Sequence, residues 1–258
     1  MIIDTHIHLD DERYSDDFSE HYARAKEAGV EYFIIPGAHA STLSRAIELC
    51  ERYDDVYFAL GAHPYDMDSF KDIDFDTLIK HPKCVAIGEC GLDYYRLEGS
   101  DEEKAYEKAK QAEIFKKHIA IAKKYKKPLI IHIRDASRDS KDILLSEGAG
   151  EVGGVLHCYN ADHELLSLAE HNFYFGIGGV VTFKNARKLI EVLPKIPLDK
   201  MLLETDGPYL TPHPHRGSRN ESSYIPLISQ KIAEVLDSNS NSIEEITTNN
   251  AKRLFSLE

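Results

Sequence analysis

Positive charge is scarce in this sequence of 258 residues: Lys and Arg number 31 against 44 Asp and Glu, a net charge of −13. The chain therefore has no general electrostatic attraction to DNA or acidic membranes, and any contact with phosphates must be local. Long apolar runs are missing as well, so no stretch reads as a membrane span. The N-terminus opens on the strand-like Met1-Ile2-Ile3. It lacks the basic region, long apolar segment and small-residue cleavage site of a secretory signal. The four cysteines, Cys50, Cys84, Cys90 and Cys158, lie far apart without CxxC spacing. They read as reduced, mostly buried thiols, and a cytoplasmic location is the expectation. Neither GxGxxG nor a P-loop is present, and no Ser-His-Asp set has nucleophile-elbow context, which argues against nucleotide-driven and covalent hydrolytic chemistry. With no internal repeat, low-complexity tract or Pro/Ser-rich linker, one domain over residues 1–258 is expected.

What is present is an alternation. Short Val- and Ile-rich runs are separated by longer segments of helical pattern along the whole chain. The expected strands are Met1–Thr5, Tyr32–Pro36, Val56–Leu60, Cys84–Gly88, Leu129–Ile131, Gly153–Leu156, Phe173–Gly176 and Met201–Glu204. Eight β-α units in about 250 residues is the size of a TIM (β/α)8 barrel, an α/β fold. The competing layout, an open doubly wound sheet, often carries a glycine-rich phosphate turn after its first strand, where this chain has His6-Ile7-His8. The longest interruption, Asp101 to Lys127, has apolar residues at helical spacing and ends in Lys123-Lys124-Tyr125-Lys126-Lys127. Lysines there complement a helix C-terminus and feed the bottom of strand five, opposite the expected active face.

His6, His8, His63, Glu89, His132, His157 and Asp206 fall at or just past expected strand ends. In a barrel these ends converge on one mouth. On extended backbone His6 and His8 point to the same side and can grip one ion. Period-two alternation through Val85-Ala86-Ile87-Gly88-Glu89 puts Glu89 inside with Val85 and Ile87, where an unpaired carboxylate would be costly. A single buried histidine is usually a satisfied core residue, but five convergent ones are not easily explained so. Six protein ligands exceed one tetrahedral ion's needs and suit two ions sharing a bridging carboxylate. The assignment is His6, His8, Glu89 and Asp206 on one divalent ion, with Glu89, His132 and His157 on the other. Mixed nitrogen and oxygen ligands leave Zn, Mn, Ni and Mg open. Asp206 can also hold or deprotonate the attacking water. Glu204 should face inward beside an imidazole or Arg134, with ordinary buried ion pairing as the alternative.

The sequence resembles the TatD family of metal-dependent nucleases, within the amidohydrolase-like metal-dependent hydrolases. The matching stretches include Ile3-Asp4-Thr5-His6-Ile7-His8-Leu9, Gly61-Ala62-His63-Pro64, Gly88-Glu89-Cys90-Gly91-Leu92-Asp93, His132-Ile133-Arg134-Asp135-Ala136 and His157-Cys158-Tyr159. Leu203-Glu204-Thr205-Asp206-Gly207-Pro208-Tyr209-Leu210, Arg216-Gly217-Ser218-Arg219-Asn220-Glu221 and Asn250-Ala251-Lys252-Arg253-Leu254-Phe255 extend the match to the C-terminal end. The resemblance implies a TIM barrel, a divalent-metal centre and hydrolysis of DNA phosphodiester bonds by a deoxyribonuclease of exonuclease type. The expected partner is DNA, single-stranded or at its ends, with no membrane and no obligate protein partner.

Around that chemistry, His63 is expected to touch the substrate phosphate or leaving group, the alternative being a structural hydrogen bond. Arg134 shares the face of His132 and can fork onto a phosphate or pair with Glu204. Arg216 and Arg219 make the loop after strand eight locally basic, or merely pin it. Tyr95 and Tyr159 either stack on a base or pack against the rim. Asp93 reads as an orienting residue. Alternation turns Cys90 and Cys158 toward the helix layer, away from the metals. Two rival functions remain: hydrolysis of another ester, amide or phosphoester at the same centre, and a non-catalytic nucleic-acid-binding scaffold.

Overall fold

The computed structural model describes residues 1–258. Eight parallel strands stand side by side in chain order: β1 (Ile2–Asp4), β2 (Val30–Ile35), β3 (Val56–Leu60), β4 (Cys84–Asp93), β5 (Leu129–Arg134), β6 (Gly154–Leu156), β7 (Phe173–Ile177) and β8 (Met201–Leu203). The last strand returns to the first, where Thr5 N–H donates to Leu203 O at 3.1 Å and Asp206 N–H to His6 O at 2.9 Å. The result is the expected TIM barrel, and the open-sheet layout is excluded. Every expected strand is present, although β4 runs on to Asp93 and β5 to Arg134. The α-helices are α1 (Phe18–Glu27), α2 (Leu43–Arg52), α3 (Phe75–Leu78), α4 (Asp101–Tyr125), α5 (Ser137–Ser146), α6 (Arg187–Val192), α7 (Ile225–Val235) and α8 (Ser240–Phe255). After β6 the helical segment is a 3-10 helix, His163–His171. No helix is long and apolar enough to cross a membrane.

Two hydrophobic layers follow from period-two alternation along the strands. Ile3, Ile34, Ala59, Val85, Ala86, Ile130, Val155, Tyr174 and Leu202, at least one per strand, fill the lumen, and Ala251, Leu254 and Phe255 of α8 with Leu257 just past it join them from one end. The intervening residues, among them Phe33, Phe58, Leu129, Leu156 and Phe175, pack outward with the helices. The bottom is thus plugged by apolar side chains, which leaves the C-terminal strand ends as the open face. α4 starts on a capping box in which Ser100 and Glu103 satisfy each other's backbone N–H groups. At its other end Lys123 donates to Glu147 O at 2.9 Å and Lys124 pairs with Asp76, so this lysine run serves the bottom of the fold.

One expectation about β4 is corrected. Ile87 does not share the inner face with Glu89, because it packs in the outer layer while Val85 and Ala86 join the lumen cluster. The pairing of β4 with β5 shifts register between Ile87 and Cys90. Gly88 in that irregular step has φ 141°, with the β5 backbone so close that a Cβ would stand 2.3 Å from Ile130 O. Only glycine fits there, and the shifted register is what turns Glu89 inward.

Candidate metal centre

After a bend at Thr5 that breaks the alternation past Ile3, the segment carrying His6 and His8 is held by both neighbouring strands. Ile7 N–H donates to Ile34 O at 3.1 Å and His8 N–H to Gly207 O at 2.8 Å. The two imidazoles therefore face one side, with their Nε2 atoms 3.4 Å apart. Below them a buried network fixes the β1–β8 seam: Asp4 accepts from Thr205 N–H at 3.0 Å, Thr205 Oγ1–H at 2.7 Å and Ser222 Oγ–H at 2.7 Å. Burial pushes the Asp4 carboxyl up to about 7 against the effect of these donors.

Glu89 lies at the middle of the cluster. Its Oε2 is 3.4 Å from His6 Nε2 and 3.9 Å from His8 Nε2, while Oε1 is 2.9 Å from His132 Nδ1 and 3.8 Å from His63 Nε2. Asp206 Oδ1 stands 3.7 Å from His6 Nε2, 3.6 Å from His8 Nε2 and 3.7 Å from His157 Nε2. His157 stacks on His6 with ring centroids 3.4 Å apart. The six expected ligands are thus brought to one place at the C-terminal mouth.

The donor set fits divalent ions. Metal–ligand bonds of about 2.0–2.2 Å to N and O place tetrahedral ligands about 3.3–3.6 Å apart. His6 Nε2, His8 Nε2, Glu89 Oε2 and Asp206 Oδ1 lie 3.4 to 3.9 Å from one another across the measured pairs. Two of the imidazoles are also steered from behind. Asp93 Oδ2 sits 2.8 Å from His132 Nε2, and Glu204 Oε1 sits 3.0 Å from His157 Nδ1. Such carboxylate–imidazole pairs orient metal-binding histidines. Burial works against charge on Glu89, but the surrounding imidazoles outweigh it and hold the carboxyl well below its ordinary value. Burial likewise opposes a proton on His157, yet Glu204 and Asp206 outweigh it and push the imidazole up to about 10. Burial pushes His63 down to about 4. His63 Nδ1 accepts from Tyr65 N–H at 3.1 Å, so a neutral ring carries its proton on Nε2, facing the centre.

A cavity of about 1020 Å³ opens above the cluster, lined by residues that include His63, Arg134 and Tyr159. Arg134 does not pair with Glu204; its guanidinium stacks on the exposed Tyr95 ring, 3.6 Å from the centroid. Glu204 is occupied by His157 and by Cys158 N–H at 2.6 Å. Tyr159 packs against the rim: it is buried, its ring meets Phe175 and its hydroxyl donates to Asp162 O at 2.7 Å. Arg216 turns back into its own loop, donating to Thr211 O at 2.8 Å and covering Phe183, and it does not line the cavity. Arg219 is pinned by Asp17. Cys90 lies in the outer layer as alternation requires. Cys158 is a correction, because it lines the cavity. β6 ends at Leu156 and Cys158 adopts φ 43°, which breaks the alternation just past the strand. Burial pushes its thiol well above the ordinary value.

Two participants were not singled out from the sequence. Tyr65, two residues past His63, donates its hydroxyl to Asp93 Oδ1 at 2.6 Å and so braces the carboxylate behind His132. Asp10, two residues past His8, lines the cavity. Both lie in turns past β1 and β3, where strand alternation gives no signal.

Comparisons with known proteins agree with this geometry. The profile of the family described as "TatD related DNase" matches residues 3–256. The "Uncharacterized metal-dependent hydrolase YabD" of Bacillus subtilis is 44% identical, with all of both chains covered. The "3'-5' ssDNA/RNA exonuclease TatD" of Edwardsiella piscicida is 31% identical over 99% of this chain and 100% of its own. Among solved structures, the TatD homologue YJJV from Escherichia coli superimposes with a TM-score of 0.89 at 28% identity, covering 100% of this chain and 98% of that one. A barrel whose mouth gathers this donor set, matched over nearly its whole length by that profile, belongs to the TatD-related DNase family of metal-dependent hydrolases.

Proposed function

We propose that this hydrolase cleaves phosphodiester bonds at the ends of single-stranded DNA, with the help of two divalent ions that Glu89 would hold together with His6, His8, His132, His157 and Asp206. The observation that carries the reading is the division of labour on Glu89: Oε2 faces His6 and His8, and Oε1 faces His132. Asp206 completes the first set; His157 is assigned to the second, although its ligand atom clusters with those of His6 and Glu89 and that of His132 with those of His63 and Asp93. When bound, such ions supply Lewis acidity to the phosphoryl oxygens and lower the pKa of water. The chain's own residues do the rest. Asp206 Oδ1 faces three imidazoles, which leaves Oδ2 to accept the proton of the attacking water. As the water oxygen bonds to phosphorus, the bond from phosphorus to the leaving sugar oxygen breaks, and that oxygen takes a proton from solvent. His63 Nε2–H points at the same centre and donates to a phosphate oxygen. Arg134, held flat on Tyr95, offers its fork to the phosphate.

Phosphate is favoured over a neutral ester or amide because Arg96, Arg134, Arg187 and Lys188 line the cavity. The name of the Edwardsiella relative adds support for a single-stranded nucleic acid. Four unpaired thiols suit a reducing compartment, and we place the protein in the cytoplasm. The test is to incubate metal-free protein with end-labelled single- and double-stranded DNA while restoring Mg, Mn or Zn in turn. Release of single nucleotides from one end, faster from single strands, is the expected result. Cleavage of simple esters or amides with intact DNA in every arm would replace the reading by its rival.

A further inference from the structure

We propose that the cavity is divided into two seats of opposite charge, and that Asp10 reads a free hydroxyl at the terminal nucleotide. This rests on the nuclease reading and extends it to the specificity of the end.

The division follows from the barrel's order. Strands stand in chain order around the axis, so loops after β1, β2 and β3 occupy one side of the mouth and loops after β4 to β7 the other. Asp10, His39, Thr42 and Asp66 come from the first three loops; Arg134 closes β5, Arg187 and Lys188 open α6 after β7, and Arg96 follows β4 and leans over the Tyr65 ring between the two sides. None of these four cations has a carboxylate partner among the ion pairs of the fold, and the same holds for Asp10 and Asp66. Asp11 also lines the first side, but Arg13 neutralises it at 2.7 Å. Glu89 and the other ligands lie between the two sides.

A polynucleotide has one phosphate at the bond to be cut, further phosphates along the retained strand, and at its very end a hydroxyl. The retained strand belongs on the cationic side, where each phosphate meets an unpaired guanidinium or ammonium. The terminal nucleoside then projects onto the side of Asp10 and Asp66. Asp10 Oδ1 is sealed from solvent and has no hydrogen-bond partner. A buried acceptor left unmade is costly, and a sugar hydroxyl is the donor that this seat lacks. A terminal phosphate, or a strand continuing past the cut, would instead bring negative charge against Asp10 and Asp66. The same two carboxylates therefore reward a hydroxyl end and reject both a phosphorylated end and an internal position. Exonuclease character is then a property of the charge on one side of the mouth.

The test compares kcat/KM on one single-stranded oligonucleotide carrying a hydroxyl or a phosphate at the end from which nucleotides are released, for wild type, Asp10→Asn, Asp66→Asn, the double variant of the two and Lys188→Ala. Metal content is measured in each, because Asp10 lies near His8. Wild type should favour the hydroxyl end about tenfold or more, the scale of one like-charge contact at a partly screened site. Asp10→Asn should cut that ratio to about threefold or less whatever its absolute rate, and Asp66→Asn should reduce it further in the double variant. Lys188→Ala should lower kcat/KM on both substrates and keep the ratio. Equal rates on the two ends in wild type, or an Asp10→Asn ratio equal to wild type at matched metal content, overturns the seat. If wild type releases nucleotides from neither substrate with any of Mg, Mn or Zn, the nuclease reading fails and the seat falls with it.

Discussion

Gly176 touches neither substrate nor metal, yet replacing it with alanine should cripple the centre. A Cβ on Gly176 would lie 2.2 Å from Glu204 Oε2 and 2.7 Å from Glu204 Cδ, well inside any real contact. Glu204 is fully buried, accepts from Cys158 N–H at 2.6 Å and stands 3.0 Å from His157 Nδ1. Relieving the overlap requires the carboxylate to move by about 1 Å, and His157 must follow it or lose it. A displacement of about 1 Å in a positioning group costs about 100-fold in rate, and losing a carboxylate behind a metal-binding histidine costs about 10- to 100-fold in affinity. Gly176→Ala should therefore lose about 10- to 100-fold in divalent-metal affinity by calorimetry, and about 100-fold in rate at intermediate metal. Gly178→Ala is the control, since its Cβ would find Glu204 only at an ordinary 3.5 Å. It should behave as wild type in both assays. A Gly176→Ala enzyme with wild-type affinity and rate would refute the claim that Glu204 sets the position of His157.

Glu89→Gln should deplete both ions at once, whereas His8→Ala should mainly deplete one, as read by metal counting on purified protein. Asp206→Asn should stay about 100-fold slow at saturating metal, because it removes the proton acceptor while the other ligands remain; full recovery at high metal would reduce Asp206 to a ligand. Away from the centre, Glu221 accepts from Arg24 at 2.9 and 2.6 Å, and although burial opposes its charge, His21, Arg24 and Ser223 outweigh it and hold the carboxyl well below its ordinary value. A depressed carboxyl stabilises above its unfolded pKa and loses that contribution as pH falls through the folded one. Glu221→Gln should thus cost about 1–2 kcal/mol at pH 7 in urea unfolding, with the gap from wild type closing in strong acid.

The eight strands were legible because each is short, apolar and bounded by polar segments, and Val56–Leu60 was placed without error at either end. Chemistry was legible for a related reason: ligands end the strands, and the barrel brings strand ends together. What the sequence hid lies where alternation stops. A register shift at Gly88 puts Ile87 outside, and left-handed backbone at Cys158 turns toward the cavity a side chain that period two would place elsewhere. Arg216 was an even choice between substrate and loop, since composition cannot tell which way a long flexible cation folds; Thr211 O and Phe183 decide it. Tyr65 and Asp10 were hidden differently. Both lie in loops just past His63 and His8; the Asp93 partner of Tyr65 comes from β4, and the place of Asp10 in the cavity wall is visible only in three dimensions.

The central claim is that one carboxylate divides this centre between two ions. Its most direct test is a crystal of the Mn-loaded protein with anomalous difference maps at the manganese edge. The account predicts two peaks about 3.5–4 Å apart, the spacing of paired hydrolytic metals, with Glu89 between them. One peak should lie among His6, His8 and Asp206, and the other beside His132 and His157. A single peak at full occupancy, or a second peak that Glu89 does not touch, would contradict it.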